Sequence, residues 1–220
     1  GEELDTDRGN ILMSCKFWGL GSDGTVGANK NTVDIINRVT PLYAQAYFEY
    51  DAKKSYGLTR SHLRIGRGPV RASRAVRRPS IVACHCQNYV GLYDMAEELR
   101  PHGLFLLNCT WKADELDSRL PARFRRTLAE RHARLFIINA TGLAHELGLG
   151  QHVNIILQAA FFRLARVIPV DQAEKCMEEA VRKTYFAKGE DVVARNVAAV
   201  RAGAGCRTPF DILPAVWLAS

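Results

Sequence analysis

The chain has 220 residues, 47% of them apolar, and a formal net charge of +7 at pH 7. That apolar content can bury a core, and residues 1–220 read as a single domain, while no apolar run approaches the roughly 20 residues that a membrane-spanning helix needs. Six cysteines lie scattered without any C-x-x-C, and the start GEELDTDRGN is polar, with neither a signal nor a transit pattern, so reduced thiols, a cytoplasmic location and no membrane contact are expected.

Taken in chain order, 11–18 reads as a buried strand. FWGLGSDGTVGANK follows at 17–30, with glycines at Gly19, Gly21, Gly24 and Gly27. Gly19, Gly21 and Gly24 fit G-x-G-x-x-G between that strand and a helix over 26–39, the context of a phosphate-binding turn. Such a turn lets the backbone approach an anion, and the following helix aims N–H groups at it. A second strand spans 44–50 and ends in Glu49-Tyr50-Asp51, with Lys53 and Lys54 close behind. An acid at that place suits ribose hydroxyls, and two lysines suit an extra phosphate, either that of NADP or the 3′-phosphate of coenzyme A. Read structurally, 51–55 is a polar turn.

A strand over 62–65 carries His62 and Arg64 on one face. His62 has two readings, a ligand contact or a core polar contact. From Arg60 to Arg78 the chain has seven arginines and no acid. The stripe lacks aromatics for base stacking and no nucleic-acid reader motif appears, so no nucleic acid is expected; a solvated or domain-contacting face is.

Further strands read over 81–84, 104–107 and 135–139, with helices over 89–99 and 122–131, Pro121 opening the latter in its first turn. Cys84-His85-Cys86 lies at a strand end. Neighbouring strand residues point apart and no second pair completes a tetrahedral set, so no metal site is expected. The C-x-x-C-x-x-C run of iron–sulfur proteins is not in the sequence. Beyond Gly150 the period changes to three helices, over 152–167, 171–185 and 190–202, the second with Asp171 as N-cap. The fold class that follows is α/β, a three-layer Rossmann-like sandwich with a mainly parallel sheet and a helical C-terminal portion. Within the single domain, 10–205 forms the body and 206–220, with Pro209 and Pro214, an extended arm packed on a neighbour.

GLGSDGTVGANK, YAQAYFEYDAKKS, SHLR and the GLG-x-x-x-N of Gly148, Gly150 and Asn154 closely resemble the third domain of pyruvate:ferredoxin (flavodoxin) oxidoreductases, which also occurs as the gamma subunit of the wider 2-oxoacid:ferredoxin oxidoreductase family. The resemblance covers about residues 15–200. It implies a non-redox domain of an enzyme that converts pyruvate, coenzyme A and oxidised ferredoxin to acetyl-CoA, CO2 and reduced ferredoxin. It further implies coenzyme A at this domain, with thiamine diphosphate, Mg and [4Fe–4S] clusters on partner domains or subunits, and ferredoxin or flavodoxin met through the whole enzyme, itself a homodimer. On this reading coenzyme A phosphates lie against Gly21, Ser22, Asp23, Gly24 and Thr25, with Lys53, Lys54, Ser55, His62 and Arg64 around them. Asp23 is alternatively a helix cap. Tyr56 departs from the glycine that relatives carry there. GLG-x-x-x-N reads physically as a helix stop and restart, without a chemical role. No catalytic residue is assigned, and the isolated domain is expected to be inactive. The other functions open to the sequence are the gamma subunit of another 2-oxoacid enzyme, an NADP-binding oxidoreductase domain and a structural scaffold.

Overall fold

A computed structural model describes residues 10–21, 24–51, 57–71, 74–206, 209–210 and 217. The strands are β1 (Ile11–Leu20), β2 (Tyr43–Asp51), β3 (Leu58–Gly66), β4 (Ile81–Cys84), β5 (Leu104–Asn108), β6 (Arg134–Ile138) and β7 (Pro209–Phe210). They join in one sheet in the order β2-β3-β1-β4-β5-β6-β7. β1, β4, β5 and β6 run parallel, whereas β3 is antiparallel to both β1 and β2, and β7 is antiparallel to β6. All six strands expected from the apolar runs are present.

Helices cover both faces, which is why the central strands read as continuous apolar runs. Successive strand residues point to opposite sides. Ile81, Ala83, Leu104 and Leu106 therefore enter one core, and Val82, Cys84, Phe105 and Leu107 the other. The first core packs against α1 (Thr25–Val39), α5 (Ala140–Glu146), α6 (Asn154–Ala165), α7 (Val170–Tyr185) and α8 (Glu190–Ala204). The second packs against α2 (Met95–Glu98), α3 (Leu116–Arg119), α4 (Ala122–Glu130) and Trp217. Three layers result.

Helix α6 is apolar on nearly every side, as befits a helix buried between the sheet and α8. The two helices approach so closely that a Cβ on Gly203 would lie 2.1 Å from the Ile156 carbonyl oxygen. The helix expected over 89–99 is instead a 3₁₀ turn at Gln87–Gly91 followed by the short α2, with Asp94 as N-cap. The apolar residues there bury as two clusters, Tyr89–Val90 and Met95–Ala96, with Leu92 exposed between them; no single helical face could bury both. Helix α7 begins one residue before Asp171, which lies in its first turn, and its N-cap is Pro169. Pro121 likewise caps α4 from outside. The described tail residues return to the chain itself: β7 extends the sheet, and the Trp217 indole N–H donates to the Asp117 carboxylate.

Candidate functional site

β1 leads into α1 through the glycine turn. The Gly21 N–H donates to the Gly57 carbonyl at 2.6 Å, and a Cβ on Gly21 would lie 2.9 Å from that oxygen. Glycine is required at this close approach. Gly24 is the N-cap of α1 at φ +83°, in the left-handed region. The first N–H groups of a helix have no partners within it, and no acid lies in the first turn of α1. Asp23, the alternative cap, lies outside the described residues, as do Ser22, Lys53, Lys54, Ser55 and Tyr56.

Asn154, at the first position of α6, rests against the same turn: a Cβ on Gly24 would meet its side-chain amide at 3.0 Å. Farther along, the Gln158 amide donates to Asn31 Oδ1 at 2.9 Å and Thr32 Oγ1 at 3.1 Å. These bonds lock α6 to α1, so the starts of both helices meet at Gly24. The GLG-x-x-x-N string thus supplies a wall of the turn, a role that its reading as a helix restart missed.

A cleft of about 670 Å³ opens beside the turn. It lies beyond the carboxyl ends of β1, β4 and β5, where the connections leave the sheet in opposite directions, the usual ligand position in open α/β folds. Leu20, His85, Gln87, Asn108, Thr110, Thr141, Gln151 and His152 line it, with no lysine or arginine among its described lining residues. His85 bridges cleft and turn. Its N–H donates to the Trp18 carbonyl at 2.9 Å, and its Nδ1 lies 2.9 Å from Thr25 Oγ1. Asn108 joins the walls: its Nδ2 donates to the His85 carbonyl and to Thr141 Oγ1, and its Oδ1 accepts from the Ala140 N–H at 2.9 Å.

Of the expected site residues, Gly21, Gly24 and Thr25 meet at this turn. Thr25 is 1% exposed and its hydroxyl engages His85. His62 and Arg64 are not brought there. Leu58 pairs with Leu20 at the turn end of β1, so His62 and Arg64 lie roughly 13 and 20 Å farther along β3. Both are buried, on the sheet face opposite the core that α1 covers. His62 Nδ1 accepts the Val76 N–H at 3.0 Å, and Nε2 donates to Glu49 Oε2 at 2.8 Å. Burial lowers the His62 pKa from its ordinary value, Lys16 and Arg64 reinforce this, and the Glu49 hydrogen bond opposes it. Arg64 donates to the Arg74 and Ala75 carbonyls at 2.7 and 3.1 Å. Their work is to hold the segment between β3 and β4. Same-face spacing in the sequence shows that two residues share a side, but not which side or which end of the sheet.

Cys15, Cys84 and Cys109 are buried thiols. Burial pushes the Cys15 and Cys84 thiols well up, and Cys109 up to about 11; Cys84 Sγ donates to the Cys86 carbonyl at 3.0 Å. Among the described residues no three of His, Cys, Asp or Glu cluster as metal ligands, and no helix is long and apolar enough to cross a membrane.

The family described as pyruvate ferredoxin/flavodoxin oxidoreductase matches residues 14–206. The pyruvate:ferredoxin oxidoreductase of Moorella thermoacetica is 50% identical over 199 residues, which are 90% of this chain and 17% of that protein. The chain thus spans less than a fifth of the length of such relatives. Among solved structures, a pyruvate oxidoreductase subunit from Thermotoga maritima superposes with a TM-score of 0.70 at 18% identity, covering 91% of this chain and 99% of that one. The 2-oxoglutarate:ferredoxin oxidoreductase of Magnetococcus marinus, solved with 2-oxoglutarate, coenzyme A and succinyl-CoA bound, gives a TM-score of 0.65 at 16% identity, covering 88% of this chain and 30% of that one. At these identities the structural likenesses speak for the fold alone.

Proposed function

Because the chain belongs to the pyruvate ferredoxin/flavodoxin oxidoreductase family, we propose that it is the coenzyme A-handling and assembly domain of a pyruvate:ferredoxin (flavodoxin) oxidoreductase. In the whole enzyme, pyruvate, coenzyme A and an oxidised carrier become acetyl-CoA, CO2 and a reduced carrier. Thiamine diphosphate, Mg and the [4Fe–4S] clusters belong on other domains, as this sequence has none of the cysteine runs that hold such clusters. Ferredoxin or flavodoxin meets the whole assembly, a homodimer.

The observation that carries the reading is the Gly21–Gly57 hydrogen bond. It brings Gly21, which Ser22 and Asp23 follow in the sequence, against Gly57, which Lys53, Lys54 and Ser55 precede. Coenzyme A carries a pyrophosphate and a separate 3′-phosphate. The start of α1 beside Gly24 turns a positive helix end towards the first. Lys53 and Lys54 are the cations for the second.

The topology counts against NADP. A dinucleotide fold seats the ribose acid on a strand parallel to β1 and next to it; here β3 intervenes and is antiparallel. Asp51 consequently lies two strand spacings, about 10 Å, from β1.

Asn154→Asp tests the anion site, since it keeps the shape of the side chain and adds a carboxylate beside Gly24. In the complete protein, coenzyme A affinity is expected to fall by about tenfold or more, at about 1.4 kcal/mol per factor of ten, with Asn154→Ala changing it less. Equal affinity in wild type and Asn154→Asp would refute the placement.

A further inference from the structure

The segment between β3 and β4 crosses the sheet face opposite α1, and it carries Arg67, Arg71, Arg74, Arg77 and Arg78, all exposed. No carboxylate of the described residues pairs with any of the five guanidinium groups. Elsewhere on the surface arginines do find acids: Arg123 binds Asp94 and Glu97, and Arg201 binds Glu178. Five like charges on a short segment repel one another.

The backbone beneath them is nevertheless tightly held. The buried Arg64 guanidinium takes the Arg74 and Ala75 carbonyls, and the buried His62 ring takes the Val76 N–H. Ser14 Oγ donates to the Arg78 carbonyl at 3.4 Å, and Arg100 Nε donates to the same oxygen at 2.8 Å. Burying a guanidinium and an imidazole is costly unless their polar atoms are satisfied. Here that expense fixes the positions from which five exposed arginines project. A merely solvated loop would need no such anchorage.

We propose that this arginine platform is a docking surface for a carboxylate-rich protein surface in the complete assembly. Every cation of the 60–78 stretch is arginine and none is lysine, and arginine's planar fork pairs with carboxylates in bidentate fashion. Arginine is also enriched in protein interfaces where lysine is depleted. A polynucleotide fits less well, because residues 67–78 contain no aromatic on which a base could stack. The proposal does not depend on coenzyme A.

Arginine-selective modification with phenylglyoxal, read by mass spectrometry on the complete native protein, tests it without a variant. Relative to the same residues after denaturation, Arg67, Arg71, Arg74, Arg77 and Arg78 should react several-fold more slowly, while Arg182 of α7 should not be protected. The protection should fall as salt rises towards 1 M, where screening acts within about 3 Å, and should survive nuclease treatment. In Arg71→Gln/Arg74→Gln/Arg77→Gln, protection of Arg67 and Arg78 should be lost at low salt; in Lys175→Gln/Arg182→Gln/Lys183→Gln, which removes as much charge, it should persist. Reactivity equal to that of Arg182 would overturn the proposal, as would protection abolished by nuclease or insensitive to salt.

Discussion

Asn154 closes over Gly24, its amide 3.0 Å from where a Cβ on that glycine would sit. One contact thereby joins the start of α6 to the start of α1.

Gly24→Ala meets two penalties at once. A left-handed conformation costs a non-glycine residue roughly 1–2 kcal/mol, and the added methyl presses on Asn154. A stability loss of about 2 kcal/mol is expected by denaturant titration. In the Asn154→Ala background the loss should shrink towards the conformational cost alone; an unchanged loss would show that the contact carries no strain.

Gly203→Ala probes the fold apart from the site. Its methyl would enter the Ile156 carbonyl and lie 2.8 Å from the Ala159 Cβ, so α6 and α8 must part. Overpacking of this kind costs about 1–3 kcal/mol. The denaturation midpoint should fall, and coenzyme A affinity measured well below the transition should stay within about twofold of wild type.

His62 predicts a pH dependence with a definite sign. Its native pKa lies below the 6.5 of the unfolded chain, so in that interval the unfolded state binds more protons. The stabilisation is fully present above pH 6.5 and is lost as pH falls through the native value. Glu49, Lys16 and Arg64 are the charged groups around the ring. Protonation at Nδ1 also removes the acceptor of the Val76 N–H. Thermal midpoints should therefore drop more steeply below pH 6.5 in wild type than in His62→Gln, and amide exchange at Val76 should quicken. Parallel pH profiles would contradict the assignment.

Lys16 is a buried cation on β1, its side chain 5% exposed, held by both Glu98 oxygens at 2.7 Å and lying over the Trp18 ring. Glu98→Gln strands that charge and should cost about 3 kcal/mol, the lower end for a broken buried pair because Glu98 keeps a third of its surface. Lys16→Met, which removes the charge and keeps the stem, should cost clearly less. The reverse order in a chemical denaturation series would contradict this account of the pair.

Much of this was readable from the chain because each central strand is apolar on both faces, so runs such as IVAC and LFLL stand out. Pairing was not. Nothing in SHLR says that β3 turns back between β1 and β2, and that single fact carries His62 and Arg64 away from the turn. A short helical stretch also misled where Asp94 breaks the rise from Val90 to Met95. Asn108 had a signal in the sequence: LFLLNCT at 104–110 and LFIINAT at 135–141 place Asn and Thr at or just past the ends of successive strands, which marks the carboxyl edge of the sheet as the polar one. Charge pattern marked the arginine run, but it did not show that Arg64 is buried and holds the Arg74 and Ala75 carbonyls while Arg67, Arg71, Arg74, Arg77 and Arg78 stay exposed.

Calorimetric titration of the complete protein with coenzyme A, dephospho-coenzyme A and NADP, in wild type and in Lys53→Ala/Lys54→Ala, tests the central claim most directly. Coenzyme A should bind more tightly than either of the others. The double variant should bind coenzyme A about tenfold or more weakly, about 1.4 kcal/mol, and should no longer distinguish it from the dephospho form. Tighter binding of NADP, or coenzyme A binding that the double variant leaves unchanged, would contradict the account.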